Sequence, residues 1–382
     1  MMTVEHLLEE NKRISKETLV PNADRVDQER AFPRPNLQEL GAAGLLGLLV
    51  PQEFGGAGGG IPEMAQALEH MAQACPSTAM VVLMHYVGTA VVAAKGNRRL
   101  REEILPAAAR GQHISTLAFS EVGSGTHFYM PVSQVSRNGR TSTLSARKSF
   151  VTSAGEADSY VVSTRNAAAQ NPTDIDLYLV PRNAQGLSVE GRFEGMGLAG
   201  NASAPVRFER VPLKEENRLG AEKTGFQTIL EVVLPHFQIG VAAISLGIAR
   251  GAFERATEHV KSRKYDHAGG AALAAIPRVQ FLEAEMALEL RSARAYLTET
   301  IHRLATGDSE AMLDLLGIKA RAAEASLAVV SRAMTLGGGA AFGRRGGLER
   351  MFRDAQAASV MAPTTDVLKE FIGKACLGLP LF

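Results

Sequence analysis

Apolar and polar positions alternate along the chain in three different ways. Up to about residue 110 the rhythm is helical: Leu37, Leu40, Leu45 and Leu46 follow at near-helical spacing, and the pattern stops at LLVPQEFGGAGGG, where Pro51 and the glycines between 55 and 60 predict a loop. A second helix is expected from Ile61-Pro62 until Pro76 breaks it, and a third through STAMVVLMHYVGTAVVAAKG, closed by Gly96.

Near residue 112 the rhythm shortens. HISTLAFS, TSTLSARKSFVTS, SYVVSTR, IDLYLVP, GLSVEG and APVRFERVPL are short β-branched runs parted by Gly, Asn, Pro and Asp, and they predict a small barrel or sandwich ending near Pro212. From about residue 222 the pattern is helical again. GFQTILEVVLPHFQIGVAAISLGIARGAFERATEHVKSRK reads as one long helix kinked at Pro235. A second helix ends at Gly307, a third runs through MLDLLGIKARAAEASLAVVSRAMTLGGG, and one or two more complete an Ala-rich bundle. The expected organisation is an N-terminal helical domain (1–111), a middle β domain (112–215) and a C-terminal four-helix bundle (216–382). No internal repeat is visible.

Composition narrows the function. Among 382 residues, 46% are apolar and 21% charged, which fits a globular chain and excludes a disordered one. The net charge of +1 gives no general attraction to nucleic acid or to an anionic membrane, and aromatics at 5% with no Trp argue against a base-stacking binder. Cys75 and Cys376 are far apart, without CxxC, HExxH or HxH, so neither a disulfide framework nor a metal site is expected. The start MMTVEHLLEENKRISKE lacks the apolar core of a signal peptide, and the long apolar stretches are broken by Gly, Pro, His or Gln. A cytoplasmic chain without a membrane span is the expectation.

Two segments carry candidate chemistry. In FSEVGSGTHF a strand runs into Gly123, Ser124, Gly125 and Thr126, where glycines let backbone N–H groups approach an anion or a flat ring; a plain hairpin turn fits the same letters. In KSFVTSAGEADSYVVSTR, Thr152 stands at a strand end, placed to reach a ring nitrogen or to be a surface turn residue. GGAGGG has no strand before it and no GK[ST] after it, so it is not a nucleotide loop. His85 and His236 lie in apolar helices and read first as core or interface histidines. Arg344-Arg345 reads as a solvated turn.

Taken together and in order, these pieces resemble the acyl-CoA dehydrogenase superfamily of FAD flavoproteins. LGAAGLLGLLVPQEFGGAGGG opens the series, and AFSEVGSGT is similar to the family's TEPGAGSD. SFVTSAGEADSYVVSTR resembles its W-[IV]-T-N strand pair, and GMGLAGNASAPVRFERVPL its M-G-x-R-x-S segment. LGAEKTGFQ, SRKY, LGGGAAF and FRDA follow. The resemblance implies FAD, with Phe119, Ser120, Gly125 and Thr126 lining it and Thr126 at the pyrophosphate. It sets Phe150 at the place of the Trp beside the isoalloxazine and Thr152 near flavin N5. It implies that Arg263, Gly337 and Gly338 complete the FAD site of a neighbouring subunit in a homo-oligomer, a homotetramer by preference, and that Thr364 lies toward the adenine.

The departures from the family pattern bear on the reaction. Its catalytic Glu position falls on Ala362 in VMAPTTD, the alternative base position on Phe237, an Arg that holds the thioester end on Gln238, a Gln before the Gly-Gly on Met334, and an Asp after the flavin motif on His127. Glu231 is the nearest carboxylate on that helix, poorly aligned. The resemblance implies α,β-dehydrogenation of an acyl thioester with hydride transfer to flavin and an electron-transfer flavoprotein as partner. The same fold also hosts flavin monooxygenases, which use a flavin reductase and O2 and would employ His85 or His236. A non-catalytic flavin-binding paralogue is a third reading.

Overall fold

The computed structural model describes residues 3–139, 141–192 and 194–380. Six helices come first: α1 Val4–Ile14, α2 Val20–Gln28, α3 Arg34–Ala42, α4 Ile61–Ala74, α5 Pro76–Lys95 and α6 Arg98–Ala109. Helix α5 is buried along nearly its whole length, because its residues are apolar on every side; Pro76 sits in its first turn, where a missing N–H costs nothing.

The middle segment forms two four-stranded sheets. One is ordered β1 (Ser115–Ala118), β4 (Ser159–Arg165), β5 (Ile175–Pro181), β8 (Arg218–Leu219), with β1 parallel to β4 and the other pairs antiparallel. The other is ordered β2 (Val135–Asn138), β3 (Thr141–Val151), β7 (Ala204–Leu213), β6 (Leu187–Val189), all antiparallel. Tyr160, Val162, Val206 and Phe208 fill a core between them.

A short turn of helix, α7 (Gly225–Thr228), leads through a π-helical turn at Ile229–Val233 into α8 (Leu234–Ser262). A two-strand ribbon, β9 (Lys264–Tyr265) with β10 (Ala271–Ala272), joins it to α9 (Pro277–Thr306), α10 (Ala311–Phe342), α11 (Leu348–Val360) and α12 (Thr365–Cys376). The expected kink at Pro235 is instead that π turn. It shifts the hydrogen-bond register just ahead of the proline, so Pro235 falls in the first turn of α8 and displaces no bond.

Helix α8 is the central strut, packed on α4, α5, α10 and α11. A Cβ at Gly247 would lie 2.3 Å from the carbonyl oxygen of Glu69, so glycine permits the close approach of α8 to α4. By length and hydropathy, α5, the α7–α8 segment and α10 each reach membrane-spanning size, contrary to the expectation from the sequence. In the structure 83%, 89% and 44% of their apolar windows are packed inside the protein.

Candidate functional site

The two chemically suggestive segments meet in space. Strand β1 ends at Ala118 and hands over to Phe119 and Ser120; strand β3 runs alongside, and the Ser149 N–H donates to the Ser120 carbonyl at 2.8 Å. The Thr116 hydroxyl donates to the Thr152 carbonyl at 2.8 Å. Behind this junction lies a buried ion pair: Lys148 Nζ stands 2.6 Å from Glu121 Oε1 and also donates to the carbonyls of Phe119 and Ser163. The other carboxylate oxygen of Glu121 accepts the N–H groups of Val132 and Ser133. Burial opposes the charge on Glu121, but Lys148 and these donors outweigh it and hold the carboxyl below its ordinary range. The pair therefore pins both ends of the 121–133 loop.

Within that loop Gly125 has φ +53° and ψ −127°, a combination that only glycine adopts readily, with open space where a Cβ would stand. Strand β3 carries a bulge between Lys148 and Val151, and Phe150 sits in it with φ +52°. The extra residue turns the Phe150 ring outward, leaving it 64% exposed. Thr152 is buried nearby, its hydroxyl 3.4 Å from that of Ser203. An outward aromatic ring, two hydroxyls and a glycine-opened backbone suit a flat hydrogen-bonding ring with an anionic tail, so these residues fit FAD. Phe119, Ser120, Gly125, Thr126, Phe150 and Thr152 would hold it.

The remaining residues assigned to FAD stand elsewhere. Arg263 is exposed at the end of α8, and Gly337 and Gly338 lie near the end of α10. Gly338 breaks α10 with φ +51° and ψ −138°, again with open space at its Cβ position. Thr364 caps α12, accepting the Val367 N–H. Helices α8 and α10 pack on each other, so this second set belongs to the bundle and not to the β domain.

A cavity of about 690 Å³ opens between the loop and the last helix. Gly123, Ser124, His127 and Tyr129 line one side, Glu370, Phe371 and Lys374 of α12 the other. From Tyr129 an aromatic chain leads inward: Phe128 packs edge-on to Tyr129 at 5.6 Å, stacks on Phe119 at 6.3 Å and tilts against Phe237 of α8 at 6.3 Å. The aromatic chain was not legible in the sequence, because its rings come from three elements.

The candidate acid–base residues fare differently. His85 is fully buried; its Nδ1 accepts the Ser115 N–H at 3.2 Å and its Nε2 lies 3.0 Å from the Leu46 carbonyl. Burial lowers its pKa to about 4. With both nitrogens committed to backbone, His85 is a core histidine that orients β1, and its assignment as a catalytic residue is corrected. Glu231 is corrected too: it is bound to Lys95 and Gln227 on the outer side of the helix, with its pKa lowered by those partners. His236 is half-buried; its Nδ1–H donates to the Val232 carbonyl at 2.7 Å, which leaves Nε2 as an acceptor, and burial lowers its pKa. Beside it, Gln238 is fully buried and neither atom of its carboxamide has a partner among the described residues. A buried amide left unpaired is costly, so the position calls for a polar group of a bound molecule or a water.

Helix α11 runs antiparallel to α8: Met351 lies beside Gly251, and Gly347 beside Arg255.

Comparison with known proteins agrees with this architecture along the whole chain. Residues 3–112 match the family described as acyl-CoA dehydrogenase, N-terminal domain; residues 116–211 match its middle domain and 223–377 its C-terminal domain. The chain is 28% identical to cyclohex-1-ene-1-carbonyl-CoA dehydrogenase of Geobacter metallireducens over 98% of this chain and 100% of that one. It is also 28% identical to the mitochondrial short-chain specific acyl-CoA dehydrogenase of Rattus norvegicus, over 92% of this chain and 85% of the relative. The fold is that of butyryl-CoA dehydrogenase from Megasphaera elsdenii, with TM-score 0.91, 23% identity and 99% of both chains covered. The chain belongs to the acyl-CoA dehydrogenase family of FAD-dependent oxidoreductases.

Proposed function

We propose that the protein dehydrogenates an acyl thioester between its α and β carbons. The observation that carries this is the cavity lined by Tyr129, whose ring packs on Phe128 and through it on Phe119, one of the residues that would hold FAD. A long polar arm suits the part of the cavity lined by His127 and Lys374, and an acyl group suits the part lined by Tyr129 and Phe371. FAD supplies the acceptor for the β-hydride. The protein's part is to exclude water with Phe128 and Phe237, to hold the FAD with the Ser120–Ser149 junction and Thr152, and to take the α-proton. For the last role the resemblance sets Ala362, which has no base, at the family's carboxylate position. Neutral His236, with Nε2 open, is the titratable group of α8 that we assign to accept it. An electron-transfer flavoprotein would be the partner that takes up the electrons.

The second set of residues supports a homo-oligomer. Arg263 and the broken backbone at Gly337–Gly338 suit the FAD of a neighbouring copy, and Phe281, Leu288 and Phe342 are exposed on the same bundle.

The deciding experiment is anaerobic titration of the FAD-loaded protein with a panel of acyl thioesters. Bleaching of the flavin absorbance by one of them is the expected result. Flavin that stays oxidised with all of them overturns the dehydrogenase reading. The alanine at position 362 favours one second reading, a flavin monooxygenase fed by a reductase. In that case oxygen consumption with chemically reduced protein depends on an aromatic, sulfur or amine substrate. Protein that binds FAD but does neither is the non-catalytic paralogue.

A further inference from the structure

Lys319 lies inside α10 and is fully buried. Its Nζ donates to two backbone carbonyls, those of Met361 at 2.7 Å and Pro363 at 2.5 Å. Met361 is the residue that ends α11, and Thr364, next to Pro363, is the cap that starts α12. A single side chain thus ties the end of one helix to the beginning of the next, with Ala362 held between the two bonded residues. Among the described residues no carboxylate pairs with it; burying an ammonium in that way is expensive, and burial is the sole cause that lowers this amine's pKa, to about 7. A methionine would fill the same volume without that cost. The amine is therefore placed where its bonds to the connector compensate for its burial, and when protonated it also faces the negative end of α11.

We propose that Lys319 is a positioning residue for the connector between α11 and α12: through the carbonyls of Met361 and Pro363 it sets where Ala362 stands and where α12 begins. Helix α12 carries Glu370, Phe371 and Lys374 along one wall of the cavity, so the clamp fixes the shape of that wall as well as of the connector. The clamp is a matter of this chain's own contacts. Its effect on turnover rests on the thioester reading above.

The test compares the FAD-loaded wild type with Lys319→Met and Lys319→Arg. In Lys319→Met, removal of a desolvated charge offsets the loss of two accepted bonds, so global unfolding is expected to move little. Amide hydrogen exchange across 361–368 is expected to speed up by roughly tenfold, as two charge-assisted bonds are lost, while the β domain exchanges as before. With the thioester that bleaches the wild-type flavin, the reduction rate at saturation is expected to fall roughly tenfold at unchanged FAD content. Lys319→Arg, which keeps donors and charge, is expected to restore part of the protection. A Lys319→Met protein whose 361–368 segment exchanges like the wild type overturns the proposal. If that variant does not fold, Lys319→Arg decides by itself, since a clamp that tolerates a longer cation must show altered exchange confined to 361–368, and unaltered exchange overturns the idea. A protein that no thioester reduces loses the dehydrogenase reading, yet its exchange pattern still tests the clamp.

Discussion

The Ser149 N–H donates to the Ser120 carbonyl at 2.8 Å, and this bond ties β3 to the segment that follows β1, the two stretches whose residues would hold FAD. Thr152, the residue that follows β3, has among the described residues only a long 3.4 Å contact from its hydroxyl to that of Ser203. Replacing Thr152 with Val is expected to weaken FAD binding roughly fivefold, the worth of about one hydrogen bond of ~1 kcal/mol. Fluorescence titration of the apoprotein with FAD measures it. An unchanged affinity together with an unchanged flavin spectrum would remove Thr152 from the site.

The buried pair Glu121–Lys148 makes a stability prediction. Lys148→Met alone leaves a buried carboxylate without its counter-ion, and a loss of about 3–5 kcal/mol is expected. Adding Glu121→Gln removes the orphaned charge and is expected to recover much of that loss. Urea unfolding of the two single variants and the double variant gives the coupling. Additive losses would mean that the two residues act independently.

His85 sets a pH dependence. Its pKa is about 4 in the folded protein against about 6.5 in the unfolded chain. Between these values the unfolded chain binds a proton that the native state refuses, so the free energy of unfolding rises with pH through this window and is lost on acidification. The share due to His85 is about 3 kcal/mol. His85→Gln is expected to flatten the stability profile between about pH 6.5 and about pH 4 by that amount, whatever it costs at neutral pH. A slope identical to that of the wild type would mean that His85 is protonated in the fold.

His236 and Ala362 test the proton acceptor. His236→Gln keeps a donor to the Val232 carbonyl but has no base, and thioester-driven flavin reduction is expected to slow by roughly 10²–10⁴. Ala362→Glu is expected to give only weak added dehydrogenation, since Lys319 holds the connector through residues on both sides of that position. An unimpaired His236→Gln protein would place the base elsewhere.

Arg263→Ala is expected to lower FAD affinity and the oligomer's sedimentation coefficient together, because an exposed guanidinium at the end of α8 reaches outward from its own bundle. A monomer that binds FAD as tightly as the wild type would dissociate the two properties.

The order of elements is legible in the amino-acid sequence. Helical spacing up to residue 110, short β-branched runs to Pro212 and Ala-rich helices thereafter are local patterns, and each acts within a few residues of itself. The sequence also marked FSEVGSGT and SFVTSAG as places where a backbone opens at a strand end. Which side chains are committed to backbone partners and which keep an open atom arises with the tertiary fold. His85 and His236 look alike in the sequence, each within an apolar helix, yet one meets backbone groups from Leu46 and Ser115 with both nitrogens and the other keeps Nε2 open. The bulge that turns Phe150 outward depends on how β3 registers against β7, a pairing between segments more than fifty residues apart. Lys319 and the connector it holds are likewise distant in the chain and adjacent in space. Local patterns encode what a segment becomes; the exposure, protonation and partners of a side chain arise from neighbours contributed by other segments, and these exist only once the chain has folded.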